Sequence, residues 1–199
     1  MSEKPQWLIR EDAGTPVLLA LALRQLLGVR APADLPSLRG LDVRAPDAAD
    51  ADDAVEAQWQ EYWDMTVEPR AHRSEVPLEL IDGFDTLIAL PASGAEELRD
   101  AIAPHAASAL RYARDAHARY VESVSSAGDS YRAYASAIAE FEREVGRRAH
   151  SFELNVQVLP LSQRGIWWIG ALSVAVTDGL RRDVVAFDAA IRPVIGELA

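Results

Sequence analysis

The last third of the chain alternates between apolar and polar positions, unlike the helical spacing that precedes it. Between residues 151 and 160 every second side chain is apolar, and residues 167–176 are rich in aromatic and β-branched side chains. Such patterns predict two strands. The turn-forming residues between them favour an antiparallel hairpin. Residues 180–198 then carry apolar side chains at three-four spacing, which predicts a C-terminal helix that bends at Pro193.

The middle of the chain has two stretches with apolar side chains three or four positions apart. The first, residues 106–124, follows Pro104, where we expect a kink or a break in a helix that starts at the capping box of residues 93–96. The second runs from Asp129, as the residue that caps the helix, to about residue 147. A short polar link joins the two stretches. They are therefore predicted to pack as an antiparallel helical hairpin.

The first half of the chain predicts a mixture of short elements. Residues 7–10 and 86–90 suit short strands, and residues 16–27 form a helix that is apolar on most sides, with Gly28 as its stop. Residues 28–53 are rich in proline and aspartate and indicate a loop region, and a helix follows at residues 54–65.

Together these elements predict a single α+β domain over residues 1–199, predominantly helical, with a small antiparallel sheet and a C-terminal helix. A two-stranded hairpin is only marginally stable alone. We therefore expect helices, the short strands near Leu8 and Leu87, or a second subunit to pack against it.

The net charge of the chain limits the classes of partner that we expect it to bind. A formal net charge of -11 over 199 residues repels phosphate backbones and anionic lipid, so we expect neither nucleic acid nor a membrane surface as a partner. The longest apolar stretch near the N-terminus, residues 16–23, is far shorter than the roughly 20 residues of a bilayer span. It also lacks the pattern of a secretory signal, so a cytoplasmic location is expected.

The composition also excludes or disfavours several classes of catalytic and redox chemistry. Cysteine is absent, which excludes disulfides and thiolate chemistry, and Lys4 is the only lysine, which disfavours lysine-based catalysis. The Ala-, Arg- and Pro-rich composition indicates a bacterial genome of high GC content. None of the common nucleophile, zinc-protease or dinucleotide motifs occurs. We therefore assign no catalytic residue, metal ligand or cofactor.

Among the polar candidates, His117 is notable because it lies in the apolar stripe of the first middle helix. Counting around the predicted turn places it level with Tyr134, whose hydroxyl would satisfy its ring as a structural histidine. A metal site that combines His117 with Glu140 and Glu144 is disfavoured, because neither glutamate lies at the centre of the apolar face. Both are expected on a solvated face, paired with nearby arginines.

Tryptophans supply the remaining candidates. Trp59 and Trp63 are four residues apart on one helical face, where packing in the core is the default interpretation. Trp167 and Trp168 are adjacent in a strand and must point to opposite faces. The outward member of this pair fits core packing and a subunit interface about equally well.

Two functional hypotheses follow. The first is a non-enzymatic interaction or accessory protein that forms a homodimer, because the two-faced apolar strand around Trp167 and Trp168 needs cover. The alternative is a small-molecule-binding protein or enzyme with a pocket between the helices and the sheet. Its candidate lining residues are Trp59, Trp63, His117 and Tyr134.

Overall fold

The computed structural model of this protein describes residues 6–41, 51–126 and 132–199. The fold is α+β, as predicted. Contacts along the chain divide it into two compact units. Unit 1 comprises Met1–Asp12 and Tyr120–Ala199, and unit 2 comprises Ala13–Arg119. This division does not test whether residues 1–199 form one domain, and the single domain stays a prediction.

The helices and strands alternate irregularly along the chain. The strands are β1 (Trp7–Asp12), β2 (Leu78–Leu80), β3 (Ala89–Pro91), β4 (Phe152–Leu159), β5 (Ile166–Gly170) and β6 (Ser173–Thr177). The helices are α1 (Thr15–Leu27), α2 (Asp53–Val67), α3 (Glu96–Ile102), α4 (Ala106–Ser126), α5 (Arg132–Val145), α6 (Asp178–Arg181) and α7 (Val184–Leu198).

Unit 1 is built on a four-stranded sheet in the order β1-β4-β6-β5. β4 is parallel to both of its neighbours, β1 and β6, and only β5 runs antiparallel, against β6. The short strand predicted near Leu8 is thus confirmed and lies at one edge of this sheet. The other edge is β5.

The predicted antiparallel hairpin of residues 152–158 and 167–176 is wrong. Residues 167–176 form two strands instead of one, because the chain turns back between Gly170 and Ser173. β5 and β6 make the hairpin, and β6 inserts beside β4 in parallel. The alternation of apolar residues is the same for either kind of pairing, so the pattern identified strands without identifying their partners.

One face of the sheet carries the interior of unit 1. Aliphatic side chains of β4 and β6 pack against Tyr134 and Ile138 of α5 and against Phe187 and Ile191 of α7. α5 and α7 also pack on each other. The predicted C-terminal helix is interrupted after Arg181, since the carboxylate of Asp183 accepts a hydrogen bond from the Ala186 backbone and starts α7 afresh.

The predicted helical hairpin involves residues of both units, since most of α4 belongs to unit 2 and α5 belongs to unit 1. The link that joins these helices, including the predicted cap Asp129, lies outside the described residues. Antiparallel packing of α4 with α5 stays a prediction.

In unit 2, α1 is buried around most of its circumference, as its apolar sequence predicted. It ends at Gly28, whose positive φ of 72° is the left-handed conformation that glycine adopts easily. The following loop is held to α1 by two side chains. Arg24 donates to four backbone carbonyls of residues 30–35, and the Gln25 amide bonds the backbone of Leu38 and Leu41.

The strand predicted at residues 86–90 is displaced to β3, because Asp85 and Thr86 adopt positive φ and cannot continue a ladder.

Pro104 separates α3 from α4 through a single 3₁₀ turn, as predicted. The predicted capping box of residues 93–96 is wrong: Ala95 is the N-cap of α3, no side chain caps the helix, and Glu96 accepts from the Gly94 amide instead of the Ser93 amide. In the described part of the chain, no helix is long and apolar enough to cross a membrane.

Candidate functional site

The candidate site begins with the free edge of β5. Among the described residues no strand pairs with β5 on the side away from β6. The Gly165 carbonyl accepts a hydrogen bond of 3.1 Å from the Thr177 amide, which fixes the phase of the ladder. Hydrogen-bonded and non-hydrogen-bonded residue pairs alternate along an antiparallel ladder. The backbone of Trp167 is therefore hydrogen-bonded to the backbone of Ala175 in β6. The N–H and C=O groups of Ile166 and Trp168 then point toward the free edge.

The start of β5 is fixed by Thr177, which is buried at the end of β6. Its hydroxyl donates to the Gln163 carbonyl over 2.6 Å and accepts from the Gly165 amide over 3.1 Å. The position of the free edge therefore depends on a side chain of the neighbouring strand as well as on the backbone ladder.

Trp168 lies at the rim of the face that holds the interior of unit 1. It is opposite Val174 in the ladder, yet 39% of the residue is exposed. Beside it is an open groove of about 430 Å³, lined by Trp168, the β5–β6 turn and the end of α7 at Glu197 and Leu198. An exposed indole next to an apolar groove is typical of the anchor residues at protein interfaces.

Trp167 is opposite Ala175 and therefore lies on the other face of the sheet, as the alternation predicted. Its indole covers Gly165: a Cβ on that glycine would lie 2.9 Å from the ring. This close approach holds the ring against the start of its own strand. Trp167 is partly exposed there.

The two ends of β5 have different charged side chains beside them. Before the strand, Arg164 is about half exposed and donates to the Asp183 carboxylate over 2.6 Å, which lowers the pKa of Asp183. At the other end Glu197 lines the groove beside Gly170. The edge between them has neither a charged residue nor a proline.

His117 has a hydrogen-bond partner without any ligand, although the partner differs from the one predicted. Its Nδ1 lies 2.9 Å from the Ala13 carbonyl oxygen, which is in the same unit. Tyr134 belongs to the other unit, so its predicted bond to His117 stays a prediction. Counting residues around the predicted turn could not identify the Ala13 carbonyl, because Ala13 is 104 residues away in sequence.

Tyr134 belongs instead to a polar cluster inside unit 1, which we call the Glu11 cluster: Glu11, Tyr134 and Arg181. The Glu11 carboxylate accepts from the Tyr134 hydroxyl over 2.6 Å and from the Arg181 guanidinium over 2.7 Å. The side chains of Glu11 and Arg181 are only 10% and 12% exposed. Burial, and then the charge of Glu11, raise the pKa of Tyr134.

The Glu11 cluster was missed by the sequence analysis, although one signal was present. In a strand, Glu11 shares its face with Ile9, so an inward carboxylate could be expected. Its cation could not, because Arg181 is 170 residues away in sequence. The Arg181 guanidinium also lies 4.5 Å from the centre of the Phe187 ring, which adds a cation–π contact.

Trp59 and Trp63 fill the interior of unit 2. Their rings stack with centroids 5.5 Å apart, both side chains are buried, and the Trp59 indole donates to the Ala20 carbonyl of α1 over 3.2 Å. This favours the packing role over ligand binding. A pocket lined by Trp59, Trp63, His117 and Tyr134 would draw on both units, and it stays a prediction.

Glu140 pairs with Arg143 over 3.7 Å, as predicted, and with Arg192 of α7 over 2.5 Å. Its side chain is only 24% exposed and faces a groove between α5 and α7. Over residues 6–41, 51–126 and 132–199, no group of three or more His, Asp or Glu side chains is placed to hold a metal ion.

The chain matches no known family model, no curated protein and no solved structure. Its function is therefore inferred from the geometry of its own surfaces.

Proposed function

We propose that this protein is a self-associating interaction or accessory protein without catalytic chemistry of its own, and that it forms a homodimer through the free edge of β5. The observation that carries this proposal is an unpaired edge strand, Ile166–Gly170, made of apolar residues and glycine alone. Strand edges of this kind pair readily with another strand, because their outward N–H and C=O groups lack partners.

The composition of the edge supports the proposal. Proteins that stay monomeric usually protect an edge strand with lysine, proline or an inward-pointing charge. β5 has none of these side chains, and the protection it does have is its length of five residues and a bulge between Trp168 and Gly170. A short ladder next to an exposed indole and an apolar groove favours a dimer of modest, micromolar affinity.

The proposal is tested by sedimentation velocity from about 100 μM to about 50 nM, with Trp168→Glu as the variant. A glutamate at the rim of the groove places a charge in the proposed contact, and we expect the dissociation constant to rise at least tenfold. The matched control is Leu78→Glu, which replaces another exposed edge-strand side chain, 51% exposed, in unit 2. A chain that stays monomeric at 100 μM, or a control that dissociates equally, overturns the proposal.

The alternative hypothesis, a small-molecule-binding protein or enzyme, stays a prediction. It requires a ligand that quenches tryptophan emission and a Trp63→Ala variant that loses this response while keeping its fold. Because Trp63 is fully packed, the variant also needs a circular dichroism control. A broad metabolite and metal screen with no thermal shift would remove this alternative.

Three expectations about context are proposals as well. The high net negative charge supports a protein that does not bind nucleic acid. A cytoplasmic location stays a proposal, and the Lys-poor, Ala- and Arg-rich composition supports a bacterial origin.

A further inference from the structure

We infer that two copies pair through β5 in antiparallel orientation, with a two-fold axis at Trp167. The two four-stranded sheets would then join into one continuous eight-stranded sheet. This inference rests on the proposed function, since it specifies the geometry of the self-association. The occupant of the edge is a second copy of this chain.

The register follows from the direction of the backbone groups. Before the bulge, Ile166 and Trp168 are the residues of β5 whose N–H and C=O groups point outward, given the bond between Gly165 and Thr177. An axis at Trp167 places Ile166 opposite the partner's Trp168 and pairs all these groups in four hydrogen bonds. An axis at Ile166 would need Arg164, which lies outside the strand, and an axis at Trp168 would need the ladder to continue through the bulge.

The same register gives favourable side-chain pairs on both faces. Trp167 meets the partner's Trp167 across the axis as a non-hydrogen-bonded pair, the closer of the two antiparallel arrangements. On the other face Ile166 meets the partner's Trp168, an aromatic side chain against a β-branched one. Both adjacent tryptophans would thus be covered by one contact.

Charge complementarity supports a second copy as the occupant. Arg164 precedes the axis by three residues and comes level with the partner's Gly170, which follows the axis by three. Glu197 lines the groove beside that glycine. The Arg164 guanidinium, already paired with Asp183, therefore approaches the partner's Glu197, and the two-fold axis repeats this contact at the other end. A parallel pairing would instead place the two Arg164 side chains together.

The absence of cysteine allows a direct test of the register by disulfide formation. A Trp167→Cys chain should convert largely to a covalent dimer on mild oxidation and return to monomer with a thiol reductant. Ile166→Cys alone and Trp168→Cys alone should not crosslink, because equivalent Cα atoms would be about 8 Å apart, beyond disulfide range. A mixture of these two variants should form the mixed disulfide dimer, since residues 166 and 168 face each other.

The outcomes separate this inference from the proposed function. If sedimentation finds a dimer but the Trp167→Cys chain and the mixture fail to crosslink, or Trp168→Cys crosslinks alone, the register is wrong and self-association stands. If the unmodified chain is monomeric at 100 μM, both ideas fail. Should Trp167→Cys lose its fold by circular dichroism, the mixture of the other two variants decides the register.

Discussion

The buried hydroxyls of Tyr134 in unit 1 and Tyr62 in unit 2 differ in their hydrogen bonding. In unit 1 the Glu11 carboxylate is enclosed with two donors, Tyr134 and Arg181. In unit 2 the buried Tyr62 hydroxyl and the Nε of Arg99 have no hydrogen-bond partner among the described residues. A satisfied charge cluster depends on every member, whereas an unsatisfied hydroxyl opposes folding. Similar burial should therefore give opposite responses to mutation, and four measurements can break or sharpen this contrast.

The largest effect is expected for Arg181→Leu. Without the guanidinium, Glu11 is a buried carboxylate with one neutral donor, and the free energy of unfolding should fall by about 3–5 kcal/mol. Equilibrium urea unfolding followed by circular dichroism measures this. The control is Arg182→Leu, the adjacent and exposed arginine, which pairs with Asp178 and should cost less than about 1 kcal/mol. Equal losses in the two variants would mean that the Glu11 cluster contributes no special stability.

Next comes Tyr134→Phe, which removes only the hydroxyl that donates to Glu11. A hydrogen bond to a buried carboxylate contributes more than a neutral one, so we expect a loss of about 1.5–3 kcal/mol. Urea unfolding at pH 7 gives the value, and the edge-to-face packing of the ring on Phe187 is retained in the variant. A loss below about 0.5 kcal/mol would show that Arg181 alone satisfies the carboxylate.

The third measurement is the dependence of stability on high pH. Burial raises the pKa of both Tyr134 and Tyr62 above the ordinary value of about 10. Above that value the unfolded chain releases phenolic protons that the folded chain keeps, so unfolding becomes more favourable as the pH rises. Each phenol should then lower the free energy of unfolding by about 1.4 kcal/mol per pH unit. This contribution is fully present below about pH 10.

The pH effect is assigned by comparing the unmodified chain with Tyr134→Phe, Tyr62→Phe and the double variant between pH 9.5 and 11.5. Each single variant should reduce the downward slope, and the double variant should reduce it twice as much. An unchanged slope in the double variant would place the titrating groups elsewhere.

The smallest effect is expected for Tyr62→Phe at neutral pH. The hydroxyl is buried without a partner, so its removal should leave stability unchanged or raise it by up to about 1 kcal/mol. Thermal unfolding would detect the gain as an increase of a few degrees at most. A clear loss of stability would reveal a partner for the hydroxyl, such as bound water, and would remove the contrast between the units.

Local features of the fold were largely predictable from sequence. The apolar run of α1 with Gly28 after it, the helix break at Pro104 and the alternation of β4 are all consequences of residues within a few positions of each other. Helical and strand periodicities, stop signals and proline constraints act over that range. The same reasoning placed Trp167 and Trp168 on opposite faces of one strand.

Strand partners and polar contacts needed the tertiary structure. β1 and β4 pair across some 145 residues, and β6 inserts between β4 and β5. An alternating pattern predicts which side chains of a strand are buried. It does not predict the neighbouring strand, because any strand with a compatible face can pair with it. The partners of His117, Tyr134 and Glu11 were decided in the same way.

The sequence by itself therefore determined the α+β class, the burial of α1 and the two-faced apolar strand that now forms the proposed interface. Tertiary structure alone decided that this strand lies at an edge of the sheet, which backbone groups it leaves unpaired and which arginine neutralises Glu11. The physical reason is range: periodicity is a local property of the chain, whereas pairing and charge compensation depend on which distant segments folding brings together.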